Sequence, residues 1–111
     1  MSRLGTLQAL MPNADAEALN ELIHLAEEVI DKPTFGSVDL AERLARSEEP
    51  VESVELVGLC TDICVISNAM ILKAAFPEVP ITVDASCCAG VTNESHTTAL
   101  QAMRAVQIEI V

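Results

Sequence analysis

Aromatic side chains are nearly absent from this sequence: its 111 residues include Phe35 and Phe76 and no tryptophan or tyrosine. Val, Ile, Leu, Ala and Met must therefore fill the core. Positive charge is also scarce, with 6 Lys and Arg against 17 Asp and Glu and a formal charge of -11. Such a chain repels phosphate backbones and anionic membrane surfaces at long range, which argues against a nucleic-acid partner. No apolar run is long enough to span a bilayer, and Met1 to Met11 lacks the apolar stretch and small-residue cleavage site of a secretory leader. No membrane association and a cytoplasmic location are the resulting expectations. No repeat, low-complexity tract or long linker divides the chain, so one domain over residues 1–111 is expected, with a core of modest size.

Half of the residues are apolar, which points to a packed globular protein. From Asn13 or Asp15, apolar residues at Leu19, Leu22, Ile23 and Ala26 carry the period of an amphipathic helix. Glu28 to Asp31 reads as a short strand stopped by Lys32-Pro33, and Val38 to Arg46 as a short helix burying Leu40, Ala41, Leu44 and Ala45. Val54 to Leu59 has the content of a buried strand. Thr61 or Asp62 can cap the helix that follows, Ile63 to Phe76, which is apolar on nearly every side. Ile81 to Ala85 gives another strand, Thr92 caps another helix, and Gln107 to Val111 closes as a strand. Strand, helix, strand, helix, strand with short links predicts an α/β fold built on a parallel sheet flanked by helices.

In such sheets ligands gather at the carboxyl ends of the strands. Gly58-Leu59-Cys60-Thr61-Asp62-Ile63-Cys64 is a turn of that kind, and it puts Cys64 in the first turn of a helix. There the unpaired N–H groups and the helix dipole favour a thiolate, and the same N–H groups can donate to an oxyanion formed when sulfur attacks a carbonyl carbon. The bland alternative is a small buried hydrophobe, the commonest use of a cysteine early in a helix.

Val57 to Val65 resembles the G-[VL]-x-T-D-x-C-V signature of isochorismatase-like cysteine hydrolases, the group that includes nicotinamidases. Asp84 to Thr92 with Glu94 and His96 is similar to that family's D-A-x-x-x-G-x-[TS]-x-E-x-H stretch, and Lys32 to Ser37 to its lysine-bearing loop. The resemblance covers residues 28–111, with residues 1–27 a helical N-terminal segment that matches weakly. It implies a Rossmann-like three-layer fold, Cys64 as nucleophile, and Lys32 as the cation steadying the catalytic carboxylate and thiolate. It further implies an oxyanion turn formed by Gly58, Leu59, Cys60 and Cys64, with a non-proline cis peptide at Gly58-Leu59. The implied reaction cleaves C–N bonds of small amides through a thioester on Cys64.

The family's catalytic Asp lies in a hydrophobic run on its first strand, and nothing in this sequence matches that run. The metal ligands of the nicotinamidase branch belong to the same region, so the resemblance assigns no metal and no cofactor. Loss of that strand bares a hydrophobic edge beside Val54 to Leu59, which predicts a homo-oligomer or association through the edge, and a truncated reading frame. A catalytically inactive α/β remnant or interaction module is the competing reading.

Other candidates have simpler explanations. Lys32 would ordinarily be a solvated loop lysine. Cys60, Cys64, Cys87 and Cys88 cluster in the second half, but adjacent cysteines chelate zinc awkwardly and are not a secreted disulfide pattern, so reduced thiols are expected. His24 reads as a surface residue, and His96 as a loop-holding group bonded to backbone. The acidic excess reads as a solubilising face.

Overall fold

The computed structural model of the protein describes residues 30–111. The helix expected from residue 13 or 15 to Ala26, and His24 with it, lie outside those residues. Of the strand expected at Glu28 to Asp31, the described part, Ile30 and Asp31, is not in a strand. Ile30 instead packs its side chain against the core ahead of Pro33.

Helix α1 (Val38–Ala45) begins where expected, and Ser37 explains why. Its backbone is extended (φ -119°) and its hydroxyl accepts the Leu40 N–H at 3.0 Å, so one of the helix's unpaired amide groups is satisfied. Leu40, Ala41 and Leu44 turn inward. Strand β1 (Val54–Leu59) pairs in parallel with β2 (Ile81–Ala89), and β2 with β3 (Glu109–Ile110), in the order β1-β2-β3. Helix α2 (Ile66–Ala75) connects β1 to β2, and α3 (Asn93–Ala105) connects β2 to β3. The α/β fold with a parallel sheet is thus present. Helices α2 and α3 pack on each other and on β2, while α1 packs on α2.

The core is aliphatic, as the lack of aromatics requires. Leu56 and Val83 from the sheet, Val65, Ala69 and Leu72 from the segment after β1, Met103 from α3 and Ile108 are essentially sealed from solvent. Of the two phenylalanines, Phe76 is partly buried against this cluster and Phe35 is exposed.

Two strand boundaries depart from expectation. β2 runs to Ala89 rather than stopping at Ala85, because its ladder with β1 breaks after Leu56↔Val83 and resumes at Gly58↔Cys88 and Leu59↔Ala89. The extra residues on β2 form a bulge, an arrangement common beside functional sites. Asp84 stabilises it by accepting from the Ser86 amide at 3.0 Å and the Ser86 hydroxyl at 2.6 Å. β3 is confined to Glu109–Ile110, since Gln107 takes a left-handed conformation (φ 69°) as the chain leaves α3. Val111 nevertheless extends the pairing, donating to Val83 O at 3.0 Å and accepting from Ala85 N at 2.9 Å.

Candidate active site

The expected continuous helix from Ile63 is in fact two pieces: a π-helical turn, Thr61–Val65, followed by α2. Cys60, still extended, occupies the cap position and provides no side-chain capping bond. The Ile63 and Val65 amides both donate to Cys60 O, at 3.1 and 3.0 Å. Neither Thr61 nor Asp62 caps the helix, because each side chain is engaged by the α3 side of the molecule. Thr61 Oγ1 shares a 2.7 Å hydrogen bond with His96 Nδ1, and Asp62 Oδ1 accepts the Val91 amide at 3.2 Å. His96 therefore holds the turn through a side chain and not through backbone. Thr61 is fully buried, so this bond satisfies a hydroxyl that would otherwise be costly to bury.

The non-proline cis peptide is Leu59-Cys60, one bond later than the resemblance implied. Leu59 is still paired with Ala89, so the strand persists through Leu59 and the chain reverses only at Cys60. Gly58, expected at that cis bond, instead takes the positive φ (129°) that a side chain would oppose, and it pairs with Cys88.

Cys64 lies in the π-helical turn, 8 % exposed, beside the aliphatic cluster and not a member of it. Lys32 Nζ is 3.5 Å from its sulfur and also donates to Thr34 O at 3.1 Å. Two residues 32 positions apart are thus brought together at the carboxyl end of β1. Among the described residues, Lys32 is the hydrogen-bond partner of Cys64 Sγ, and no carboxylate or imidazole reaches that atom.

The surrounding ionisable groups have unequal environments. Asp62 is held below the usual carboxylate range: burial opposes this, but bonds from the Ser95 hydroxyl, its own amide and the Val91 amide, with the nearby His96, outweigh burial. Asp84 is also lowered, chiefly by the Ser86 hydroxyl. Cys60 is raised by burial and then by the charges of Asp62 and Cys64. Cys88 is raised by burial and by neighbouring Cys87 and Asp84, with a backbone hydrogen bond at Gly58 working the other way. All four cysteines are free. Among the described residues no group of three or more His, Cys, Asp or Glu is arranged to hold a metal ion.

Asn68 is the site-proximal residue that the sequence reading passed over. It is completely buried one helical turn after Cys64, and its side chain bonds Ser37 N, Phe35 O and Cys64 O. A side-chain amide within a mostly apolar helix was the available signal, since a buried polar side chain must find partners.

The isochorismatase domain model matches residues 8–111, beginning well upstream of Lys32. Among solved structures, the nicotinamidase of Staphylococcus aureus aligns with TM-score 0.67 and 28% identity, over 95% of this chain and 69% of that one. The nicotinamidase/pyrazinamidase of Bacillus subtilis aligns with TM-score 0.66 and 25% identity, over 85% of this chain and 52% of that one. The pyrazinamidase/nicotinamidase of Streptococcus mutans aligns with TM-score 0.59 and 26% identity, over 86% of this chain and 54% of that one. This chain thus spans about half of the latter two proteins and 69% of the first. A search of curated proteins finds no match. With a domain model that matches residues 8–111, and a parallel α/β sheet among the described residues, the chain belongs to the isochorismatase domain family.

Proposed function

We propose that this chain carries the nucleophile of a cysteine hydrolase acting on C–N bonds of small amides, with Cys64 as the attacking group. The observation that supports it is the 3.5 Å approach of the Lys32 ammonium to the Cys64 sulfur in the opening turn after β1. The thiolate is the reactive form of a cysteine, and the ammonium lies beside the sulfur that would carry that charge. Sγ adds to the amide carbonyl carbon, and the tetrahedral oxyanion collapses by breaking the C–N bond. The nitrogen leaves with a proton as ammonia or an amine, and water cleaves the thioester to release the acid.

Main-chain donors for the oxyanion are limited by the local bonding. The Ile63 and Val65 amides already serve Cys60 O. The Cys60 and Cys64 amides are the proposed donors in this turn. The thiol's proton has to be taken by a group outside the described residues. The family resemblance implies an Asp on a strand beside β1, and among the described residues β1 is paired on one side only.

Site-resolved alkylation at neutral pH, run alongside an assay for ammonia release from small primary amides, tests the assignment. The expected result is that Cys64 labels faster than the exposed Cys87 of the same chain in spite of its burial, and that Cys64→Ser abolishes both that labelling and amide turnover. Labelling of Cys64 no faster than that of Cys87, with no ammonia released, would support the inactive remnant instead.

A further inference from the structure

Lys32 and Cys64 belong to segments with no covalent reason to stay in register. Lys32 precedes a short loop that is partly self-bonded, Lys32 Nζ donating to Thr34 O at 3.1 Å and Thr34 Oγ1 to Gly36 O at 2.8 Å. Those bonds shape the loop but do not attach it to the cysteine. Besides the Lys32–Cys64 contact itself, Asn68 ties the loop to the cysteine segment. Its Oδ1 accepts the Ser37 amide at 2.7 Å, while its Nδ2 donates to Phe35 O at 3.3 Å and to Cys64 O at 3.0 Å. The partners fix the orientation of the amide, since the reversed one would set an NH₂ group against the Ser37 N–H.

We propose that Asn68 is a positioning residue that sets the distance between Lys32 Nζ and Cys64 Sγ, by binding the lysine loop and the cysteine's own carbonyl with one side chain. The inference rests on the reading of Cys64 and Lys32 as a working pair, and it assigns Asn68 no contact with substrate. The alternative is a merely structural asparagine, satisfied in the core and indifferent to the pair. The two differ in what the sulfur experiences: if Asn68 sets the spacing, breaking its bonds removes positive charge from the sulfur.

That charge is measurable without any substrate. The ratio of Cys64 alkylation by anionic iodoacetate to that by neutral iodoacetamide reads the field at the sulfur, because the thiolate fraction and general accessibility affect both reagents alike. Site-resolved mass spectrometry separates Cys64 from the other three cysteines. In Lys32→Met the ratio is expected to fall about five-fold, the effect of one unit charge on another at about 4 Å in water. Asn68→Ser should show most of the same fall, since serine can still donate to the carbonyl four residues back but cannot reach the loop. The double variant should fall no further than Lys32→Met alone, because both changes act through one interaction.

Asn68→Thr, which leaves a smaller void, serves the same purpose if Asn68→Ser does not fold. A parent-like ratio in a folded Asn68 variant overturns the proposal, as does no fall in Lys32→Met or a double variant whose two falls multiply. Amide turnover is not part of this measurement. A chain that shows the expected ratios but releases no ammonia keeps the role of Asn68 and loses the hydrolase, whereas turnover with unchanged ratios does the reverse.

Discussion

The lower part of the β1–β2 pair and its upper end obey different rules. Below, Val54↔Ile81 to Leu56↔Val83 is a regular parallel ladder in which Val54, Leu56, Ile81 and Val83 enter an aliphatic cluster with Val65, Leu72 and Met103. Above, the ladder slips, β2 bulges, a glycine takes a positive φ and the helix opens with a π-helical turn. Buried polar groups lie on the upper side: Thr61 meets His96, Ser37 caps α1 and Asn68 ties the lysine loop to Cys64. Regular packing without polar atoms stabilises the fold. The irregular end holds its shape by hydrogen bonds, each of which has to be matched to a specific partner.

If that division is real, damage to the lower region should cost stability and leave the chemistry of Cys64 alone. Leu72 is fully buried on α2, and Leu72→Ala removes its contacts and leaves a void. Such truncations cost about 2–5 kcal/mol. Chemical denaturation should record that loss, while the iodoacetate to iodoacetamide ratio at Cys64, measured where the variant is still folded, should match the parent. A changed ratio would show that core and site are not separable.

The next largest effect contrasts two glycines at the upper end. A Cβ on Gly90 would lie 2.9 Å from His96 Cβ and 3.0 Å from the His96 Cα and amide nitrogen, within the first turn of α3. Backbone cannot yield as a side-chain tip can, and Gly90→Ala is expected to cost about 1–3 kcal/mol of overpacking. A Cβ on Gly36 would collide chiefly with the terminal methyl of Ile71, which can rotate away. Thermal melts should place Gly90→Ala clearly below Gly36→Ala, and equal melting temperatures would contradict the close approach of α3 to the bulge. Smaller again is Ser37→Ala, which removes the α1 cap at an expected cost of about 1 kcal/mol.

Legibility in the sequence divided along the same line. The β-branched run at Val54 to Leu59, the capping Thr92 and the apolar period of Val38 to Arg46 report local preferences, and the structure has those elements within a residue or so. The Cys64 turn was readable because strand-to-helix turns have a recurring grammar. The pairing of Lys32 with Cys64 came from resemblance alone, since nothing local links residues 32 apart. Other features depend on partners distant in sequence. Thr61 and Asp62 look like helix caps because Thr and Asp usually are; they are diverted here because His96 of α3 and the Val91 amide just before that helix engage them. The slip in β2 that carries Cys88 to Gly58 has no local signature, and neither has the cis bond at Leu59-Cys60. Asn68 carried a visible signal, a polar residue in an apolar helix, but its three partners were unknowable without the fold.

The smallest expected effect isolates the electrostatics of the upper end. Asp62 is held below the usual carboxylate range because, against the effect of burial, the Ser95 hydroxyl, its own amide, the Val91 amide and His96 favour the charged form. A carboxyl group that binds its proton less readily in the folded chain than in the unfolded one stabilises the fold only while it is ionised. Its contribution is therefore complete above the unfolded carboxylate value of about 3.9, fades as the pH falls below that, and is gone below the depressed folded value. Asp62→Asn keeps a side-chain oxygen for the Val91 amide but has no charge to lose. At this partly exposed position the deficit at neutral pH should be at most about 1 kcal/mol after solvent screening. Urea titrations of the two proteins should run parallel from pH 7 to about pH 5 and converge in the acid range where a free carboxylate takes up its proton. A deficit that persists unchanged into that range would mean that shape, and not charge, holds the turn to α3.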